Sequence, residues 1–320
     1  MAKKKLLAVF PEGSTFPTSL EKASRFADVV LTNNSETARQ ELRDAEGLLH
    51  WDMYNTIIRN NPLPPKLEWI HVPGIGVNTV VSRDVLSSAV VVTNTRGVFE
   101  HPIAEYVLGV MLMIAKDFRK TFDFQRTKIW NWRPTYALRN QVAVLIGSGA
   151  IGREIFMMLT AVGVKVIPVG RRVVARDPVF GHVHSADELK DLLPKADTVI
   201  LAMPLTAETT GFMGETRFAQ MKRGSCLINI GRGDLVDESA LIKALEDGQV
   251  GTAALDVFAV EPLPEHHPLW TMDQVFVSPH MSADLYGWEE RAVGQFLENL
   301  ERWATGKPLE NVVDKATRFS

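Results

Sequence analysis

A short glycine-rich stretch at residues 140–152, NQVAVLIGSGAIG, constrains the fold more than any other part of the chain. Residues 141–146 form an apolar, β-branched run, which predicts a buried strand. The run leads into GSGAIG at residues 147–152, a G-x-G-x-x-G motif, and the residues after it have the apolar periodicity of a helix. Strand, glycine turn and helix in this order predict a binding site for the pyrophosphate of a dinucleotide.

Each glycine of the motif has its own expected role in such a turn. Gly147 permits the tight turn, Gly149 leaves room for the pyrophosphate, and Gly152 lets the helix pack closely on the strand. The first amides of the helix, at Ala150 and Ile151, would then face the phosphates. Because the glycines of any strand-to-helix turn can imitate the motif, the prediction depends on the strand and helix around it.

Length and composition predict an ordinary globular protein of two domains. The chain has 320 residues, of which 46% are hydrophobic and 23% charged, enough to build two cores. The net charge of −3 gives no electrostatic reason to expect nucleic acid or an anionic membrane as a partner. The apolar run at residues 6–10 is too short for a secretion signal or a membrane span, and the only cysteine, Cys226, excludes an intrachain disulfide. We therefore expect a cytoplasmic protein.

Apolar, β-branched runs alternate with helical patterns along most of the chain. The runs that predict strands before the glycine motif are residues 6–10, 29–32, 47–51, 67–72 and 90–94. Strands that alternate with helices form parallel βαβ units. The predicted fold class is therefore α/β with two doubly wound parallel-sheet domains. We expect a flavodoxin-like substrate domain at residues 1–98 plus 285–320, and a Rossmann cofactor domain at residues 99–284.

Residues 100–122 have the pattern of one long helix that is apolar on almost every side. Such a helix is buried, either as ordinary core or between domains or subunits. Trp130 and Trp132 follow close behind it and would pack over the helix or reach a second chain. This surplus of apolar surface predicts a homodimer with two-fold symmetry.

The turn PGIGVN at residues 73–78 follows the fourth predicted strand. Gly74 and Gly76 would leave the backbone amides around Ile75 open to a ligand, which suits a carboxylate. An ordinary tight turn has the same composition, so both interpretations stay open.

Three ionisable residues, Arg232, Glu261 and His280, stand at or just after predicted strand ends. Ligands of open parallel sheets bind outside the carboxyl ends of the strands. The planar guanidinium of Arg232, between two glycines, suits a carboxylate. Any one of these residues alone would be interpreted as a surface charge or a hydrogen-bonded histidine. The three together, beside a nucleotide site, predict a catalytic centre.

The order of these motifs resembles the D-isomer-specific 2-hydroxyacid dehydrogenase family. The resemblance depends on GSGAIG, AMPLTAETTG, LINIGRGDLVDESAL, ALDVFAVEPLP and VSPH, in this order within residues 141–280. VPGIGVN and HPIAEYVLGVML extend it upstream, whereas the first sixty residues match only in pattern. The resemblance is closest to glyoxylate and hydroxypyruvate reductases. It implies an enzyme that transfers a hydride between a nicotinamide cofactor and a small 2-oxoacid or 2-hydroxyacid.

The resemblance also implies a role for each site residue. Arg232 would bind the substrate carboxylate and polarise the 2-oxo group, and His280 would exchange a proton with that oxygen. Glu261 would hydrogen-bond the imidazole and favour its protonated form. The amides near Gly74, Ile75 and Gly76 would bind the other edge of the carboxylate, and no metal is expected. Further residues are implied as cofactor contacts: Met203, Pro204, Thr209, Ile230 and Asp256.

The end of the second strand of the cofactor domain departs from the pattern of enzymes that use NAD. Such enzymes place a carboxylate there, which binds the ribose hydroxyls. This chain has Gly170 followed by Arg171 and Arg172, which can pair with the 2′-phosphate of NADP. The expected cofactor is therefore NADP. NAD, with two solvated arginines, is the alternative.

Two other functions fit parts of the pattern. Formate dehydrogenases resemble the chain but need a glutamine at the position of Glu261. A nucleotide-sensing corepressor that binds short peptides has the same fold and the same three ionisable residues. The chain lacks the long disordered tail or basic region that would favour this second alternative.

Overall fold

The computed structural model describes residues 3–52 and 55–315. The chain forms two compact units, one of Met1–Phe99 and Leu285–Ser320, the other of Glu100–Asp284. Each unit contains one sheet that is parallel for most of its width. Among the described residues, no helix combines the length and apolar character that crossing a membrane requires.

The sheet of the first unit has the strand order β2-β1-β3-β4-β5, and every pairing in it is parallel. Its strands are β1 Lys5–Val9, β2 Asp28–Thr32, β3 Gly47–His50, β4 Trp69–Val72 and β5 Val91–Asn94. This is the order of flavodoxin-like sheets. The predicted class of this domain is thereby confirmed.

The sheet of the second unit has the order β13-β12-β11-β10-β6-β7-β9-β8. Its strands are β6 Val142–Ile146, β7 Lys165–Gly170, β8 Val174–Asp177, β9 Gly181–Ser185, β10 Thr198–Leu201, β11 Ser225–Asn229, β12 Val250–Leu255 and β13 Val275–Val277. Only the β8–β9 pairing is antiparallel. The strand order reverses between β6 and β10, as in a Rossmann sheet, and ligands of such folds bind at this switch point. The predicted Rossmann domain is also confirmed.

Helices cover these sheets. They are α1 Ser35–Leu42, α2 Arg83–Ser87, α3 Glu100–Ala115, α4 Phe118–Thr127, α5 Ala150–Ala161, α6 Leu189–Leu192, α7 Glu215–Gln220, α8 Glu238–Glu246 and α9 Trp288–Ala304. In the first unit, successive side chains of β1 lie in two different cores. Leu7 lies in one core with residues of α1 and α2, and Leu6 lies in the other with residues of α9. This alternation shows that both faces of the sheet are buried.

The single long helix predicted at residues 100–122 is wrong, because the structure has two helices there. Asp117, between α3 and α4, adopts a left-handed conformation with φ 49°. Nε of Arg133 donates to the Asp117 carboxylate at 2.8 Å, and its Nη2 donates to the Asp117 carbonyl at 2.6 Å. These bonds stabilise the break, and α4 has no buried residue. The apolar periodicity of the sequence continues across the break and so does not reveal it. The break is stabilised by Arg133, which lies further along the sequence.

Candidate active site

The glycine motif between β6 and α5 has the geometry of a phosphate cradle. Gly147 has φ 130°, and a Cβ there would lie 2.4 Å from the Ala202 carbonyl oxygen. A Cβ on Gly152 would lie 1.9 Å from the Gly147 carbonyl oxygen, so neither position accepts a side chain. A Cβ on Gly149 would meet nothing within 4 Å. The space over Gly149, at the start of a helix of 12 residues that has no side-chain cap, therefore fits an anion such as a pyrophosphate.

The residues predicted to line the cofactor lie near the ends of neighbouring strands. Met203 and Pro204 follow β10, and the Met203 nitrogen is 2.9 Å from the position of a Gly147 Cβ. Thr209 accepts a hydrogen bond from the Thr206 amide at 2.7 Å and donates to the Pro204 carbonyl at 2.9 Å. Ile230, which follows β11, is buried. The loop after β10 therefore lies against the glycine motif.

Gly170 ends β7, and the side chains of Arg171 and Arg172 after it are exposed. A Cβ on Gly170 would lie 2.6 Å from Oγ of Ser148 and 3.0 Å from Cγ1 of Val183. Gly170 thus does more than lack an acidic side chain, because it makes room for Ser148. The contact between Ser148, in the glycine motif, and Gly170, on β7, cannot be deduced from the sequence.

The G-R-G turn after β11 holds Arg232. Asn229 accepts a hydrogen bond from the Gly231 amide at 3.0 Å and donates to the Arg232 carbonyl at 2.9 Å. A Cβ on Gly233 would lie 1.8 Å from the carbonyl carbon of Phe258, so this position requires glycine. Arg232 is half-buried, and its Nη1 donates to the Gly231 carbonyl at 2.6 Å. The turn is thus shaped by Asn229 on one side and by the chain at Phe258 on the other.

Glu261 and His280 form a hydrogen-bonded pair. Oε2 of Glu261 lies 2.8 Å from Nδ1 of His280, and its Oε1 accepts from the Phe258 amide at 2.9 Å. Burial by itself would raise the pKa of Glu261, but these hydrogen bonds and the charges of His280 and Arg232 lower it below its usual value. Burial lowers the pKa of Arg232, and the charge of Glu261 opposes this shift. The structure therefore brings the three ionisable residues into one electrostatic cluster with an ionised carboxylate.

Asp256, one residue after β12, is 1% exposed and accepts hydrogen bonds from three groups. Oγ of Ser278 donates to it at 2.6 Å, and the amides of Met281 and Ser282 each donate at 2.9 Å. The Tyr106 hydroxyl on α3 hydrogen-bonds Ser278 in turn. No motif in the sequence singles out Ser278 or Tyr106. The one indication in the sequence is the hydroxyl of Tyr106, a polar group within the largely apolar pattern of α3.

The turn at residues 74–76 follows β4 in the first unit. Residues at the end of β5 donate hydrogen bonds to two of its carbonyl groups. The side-chain amide of Asn94 donates to the Ile75 carbonyl at 2.7 Å, and the Thr95 amide lies 3.3 Å from the Gly74 carbonyl. Gly74, Ile75 and Gly76 are half-buried. These bonds fix the path of the turn through its carbonyl groups.

Within the described residues, one group of side chains has the spacing of metal ligands. The ligand atoms of His182, His184 and Glu188 lie within 4.8 Å of one another. His184 Nδ1 is 2.7 Å from Glu188 Oε2, and Glu188 Oε1 accepts from the Ser185 amide at 3.0 Å. Both carboxylate oxygens of Glu188 thus have a structural hydrogen bond. The cluster lies on β9 and the turn after it, outside the residues predicted for catalysis.

Comparisons with known proteins show which family the chain resembles. The family model for the D-isomer specific 2-hydroxyacid dehydrogenase, NAD binding domain, matches residues 108–282. A glyoxylate reductase of Aeropyrum pernix is 30% identical, with 96% of each chain covered. A glyoxylate reductase of Thermofilum pendens is 32% identical over 78% of this chain and 76% of its own.

A solved structure has the same fold along nearly the whole chain. It is a D-isomer specific 2-hydroxyacid dehydrogenase from Xanthobacter autotrophicus in complex with NADPH and MES, with a TM-score of 0.82 and 28% identity. The match covers 98% of this chain and 100% of the other. The predicted family and enzyme class are thereby confirmed: this chain belongs to the D-isomer-specific 2-hydroxyacid dehydrogenases, NAD(P)-linked oxidoreductases of small 2-oxoacids and 2-hydroxyacids.

Proposed function

We propose that this enzyme reduces a 2-oxoacid of the size of glyoxylate or hydroxypyruvate, and that it prefers NADPH to NADH. The observation that carries the proposal is the cluster of Arg232, Glu261 and His280 in the unit that contains the glycine motif. The names of the relatives from Aeropyrum and Thermofilum support the substrate class. The comparisons give no support to the corepressor alternative.

In the proposed reaction, Arg232 binds the substrate carboxylate and polarises the 2-oxo group. His280 donates a proton to the oxygen of that group. Because Glu261 is ionised, it accepts the hydrogen bond from Nδ1, so the proton that reaches the substrate leaves from Nε2. When bound, the nicotinamide supplies the hydride. We propose that the amides of Gly74, Ile75 and Gly76 bind the second edge of the carboxylate.

We assign the cofactor to residues 99–284 and the substrate turn to the domain of residues 1–98 plus 285–320. The geometry of the glycine motif and the open space over Gly149 support this assignment. The proposed cofactor contacts are Gly147, Gly149, Ala150, Ile151, Gly152, Arg171, Arg172, Met203, Pro204, Thr209, Ile230 and Asp256. Cys226, the only cysteine of the chain, is buried as a free thiol, which fits the cytoplasmic location that we propose.

The preference for NADPH is argued from the end of β7. Arg171 and Arg172 are exposed there, and Gly170 contributes no negative charge. A 2′-phosphate has about two negative charges, and a guanidinium can meet it with paired hydrogen bonds. We expect kcat/KM to be at least about tenfold higher with NADPH than with NADH.

Replacing both Arg171 and Arg172 by Ala tests this preference directly. The double variant should lose at least about tenfold in kcat/KM with NADPH and little with NADH, because only NADPH has the phosphate. Arg176→Ala is the matched control, since Arg176 is another exposed arginine, on β8. Equal efficiency of the unmodified enzyme with both cofactors would contradict the NADPH preference but not the dehydrogenase class.

A panel of 2-oxoacids tests the substrate class. Glyoxylate, hydroxypyruvate, pyruvate and branched or aromatic analogues would be compared at one NADPH concentration. We expect the highest kcat/KM with glyoxylate or hydroxypyruvate. A clear preference for branched or aromatic 2-oxoacids would overturn the proposed size class.

We further propose that the enzyme is a homodimer that pairs through α4 and the segment after it, residues 118–136, here called the apolar arm. Several large apolar side chains of this arm are exposed: Phe118, Phe122, Ile129, Trp130, Trp132 and Tyr136. Trp130 is fully exposed and Trp132 is 84% exposed. Such a concentration of exposed aromatic rings is typical of a protein interface. A second copy of the chain under two-fold symmetry is the occupant that we propose.

A further inference from the structure

A chain of hydrogen bonds links helix α3 to the residues that follow β12 and β13. The Tyr106 hydroxyl, on α3, bonds the Ser278 hydroxyl, which lies one residue after β13. Ser278 Oγ is 2.6 Å from Oδ1 of Asp256, one residue after β12. Ser278 and Asp256 are buried, whereas Tyr106 is half-buried. None of the expected roles of the site uses Tyr106 or Ser278.

The order of protons along this chain follows from the chemistry of its members. A carboxylate can only accept, so Ser278 donates to Asp256 and its oxygen is left to accept from Tyr106. Burial, more than the neighbouring charge of Asp256, raises the pKa of Tyr106 to about 12. The phenol therefore keeps its proton near neutral pH and can donate a hydrogen bond to Ser278. Hydrogen bonds that point one way along a chain strengthen one another.

At the other end of this series of hydrogen bonds, Asp256 binds the turn that contains His280. Asp256 Oδ1 accepts from the Met281 amide and its Oδ2 accepts from the Ser282 amide, each at 2.9 Å. His280 itself has φ 52°, a left-handed conformation that is uncommon for a residue with a side chain. Its amide donates to the Ser278 carbonyl at 3.1 Å. The unusual conformation of His280 is therefore held on both sides by residues of the hydrogen-bonded chain.

We propose that Tyr106 is a positioning residue for His280, and that it acts through Ser278 and Asp256. The proposal depends on the proposed role of His280 as the proton donor. Glu261 holds the imidazole at Nδ1, but it does not hold the backbone from which the side chain projects. The phenol fixes the rotation of the Ser278 hydroxyl, the hydroxyl orients the Asp256 carboxylate, and the carboxylate holds the two amides after His280. Loss of the phenolic hydroxyl should leave the imidazole in place but less well aimed.

Tyr106→Phe removes the hydroxyl and retains the ring. We expect kcat for 2-oxoacid reduction to fall about tenfold, since small errors in the aim of a catalytic group are costly. The thermal midpoint should stay close to that of the unmodified enzyme, and the dissociation constant for NADPH, measured by fluorescence, should change much less than kcat, because Asp256 is only one of many proposed cofactor contacts. Tyr286→Phe is the matched control, because Tyr286 is fully exposed and lies outside this series of hydrogen bonds. A loss that lies entirely in NADPH binding or in thermal stability would overturn the proposal.

A second comparison separates positioning from a general structural role. In a His280→Ala background, Tyr106→Phe should have no further effect on kcat, because the imidazole that it positions is gone. The double variant Tyr106→Phe with Ser278→Ala should be no slower than Ser278→Ala, since both act through one chain. Equal losses from Tyr106→Phe with and without His280 would overturn the positioning role. Near-normal turnover of His280→Ala alone would instead reject the proposed function of His280.

Discussion

At the scale of single residues, Glu261 links Arg232 and His280 electrostatically. Its carboxylate is 2.8 Å from the His280 imidazole, and the charges of His280 and Arg232 help to lower its pKa. A carboxylate that stays ionised stabilises a protonated imidazole, which is the form that would donate a proton in the proposed reaction. Glu261 is therefore the residue whose replacement should change the electrostatics around the imidazole most directly.

Glu261→Gln should move the alkaline limb of the pH profile of reduction to lower pH, because a neutral amide no longer favours a protonated partner. The profile of kcat/KM against pH, measured with one 2-oxoacid and NADPH, checks this. Glu265→Gln is the matched control, since Glu265 is an exposed carboxylate four residues further along the chain. If both variants gave the profile of the unmodified enzyme, Glu261 would have no part in setting the protonation of His280.

The sequence predicts where the ionisable site residues lie, but it does not predict the neighbours of Gly170. Arg232, Glu261 and His280 could be placed near strand ends, because parallel βαβ units bring the carboxyl ends of their strands to one edge. The neighbours of Gly170 could not be foreseen. Ser148 lies in the turn after β6, and Val183 lies on β9. Only the three-dimensional packing shows that these two residues occupy the space that a side chain at position 170 would need. A Gly170→Asp substitution therefore changes packing as well as charge.

At the scale of elements, the predicted strands lie close to the observed ones, whereas the break between α3 and α4 and the β8–β9 hairpin were not predicted. The break between α3 and α4 depends on Arg133, which is 16 residues from the aspartate that it holds. The β8–β9 hairpin consists largely of exposed residues, so it has no apolar alternation to reveal it. It is held to α5 instead, because Arg153 pairs with both oxygens of Asp177, at 2.8 and 2.7 Å. Local patterns do not record such long-range polar contacts.

Strand β4 contains a histidine that should make the first unit sensitive to acid. His71 is fully buried, its Nδ1 lies 2.8 Å from the Thr93 hydroxyl, and burial lowers its pKa to about 3. Trp69 donates to the same hydroxyl at 2.8 Å, so Thr93 connects the two buried rings. Below its ordinary pKa of 6.5 the unfolded chain binds a proton that the folded chain excludes until about pH 3. The free energy of unfolding should therefore fall as the pH falls through this window.

His71→Gln should remove this part of the acid sensitivity. From His71 alone, the free energy of unfolding should drop by about 2 kcal/mol between about pH 7 and about pH 5, because the full slope of about 1.4 kcal/mol per pH unit is reached only below the ordinary pKa of 6.5. Urea titrations at the two pH values, followed by tryptophan fluorescence, measure the drop, which should shrink by this amount in the variant. His101→Gln replaces an exposed histidine and should leave the drop unchanged. A drop of equal size in His71→Gln and the unmodified protein would show that His71 is not excluded from protonation.

At the scale of the whole molecule, two doubly wound sheets could be predicted because the alternation of strands and helices allows few other arrangements. The surplus of apolar surface near residues 100–136 was also visible in the sequence. What the structure adds is its location on an exposed arm rather than on a buried helix face, since α4 has no buried residue. The arm is the surface through which we propose that two copies pair.

Trp130→Ser and Trp132→Ser together should weaken the proposed dimer, because each indole contributes a large apolar contact. Light scattering at micromolar concentration should give the mass of two chains, 35.6 kDa each, for the unmodified protein and a lower mean mass for the double variant. Trp270→Ser, at a half-exposed tryptophan outside the arm, is the control and should leave the mass unchanged. A monomeric mass for the unmodified protein would contradict the dimer.

The most direct test of the central claim is the oxidation of NADPH by the unmodified enzyme and by His280→Ala, with glyoxylate and with hydroxypyruvate. The account predicts turnover with at least one of them, and a loss of about 10²–10⁴-fold in the variant as general acid help disappears. NADPH should still bind to the variant, and His266→Ala, at an exposed histidine, should keep normal turnover. No oxidation of NADPH with either acid, or near-normal turnover of His280→Ala with NADPH bound, would contradict the account.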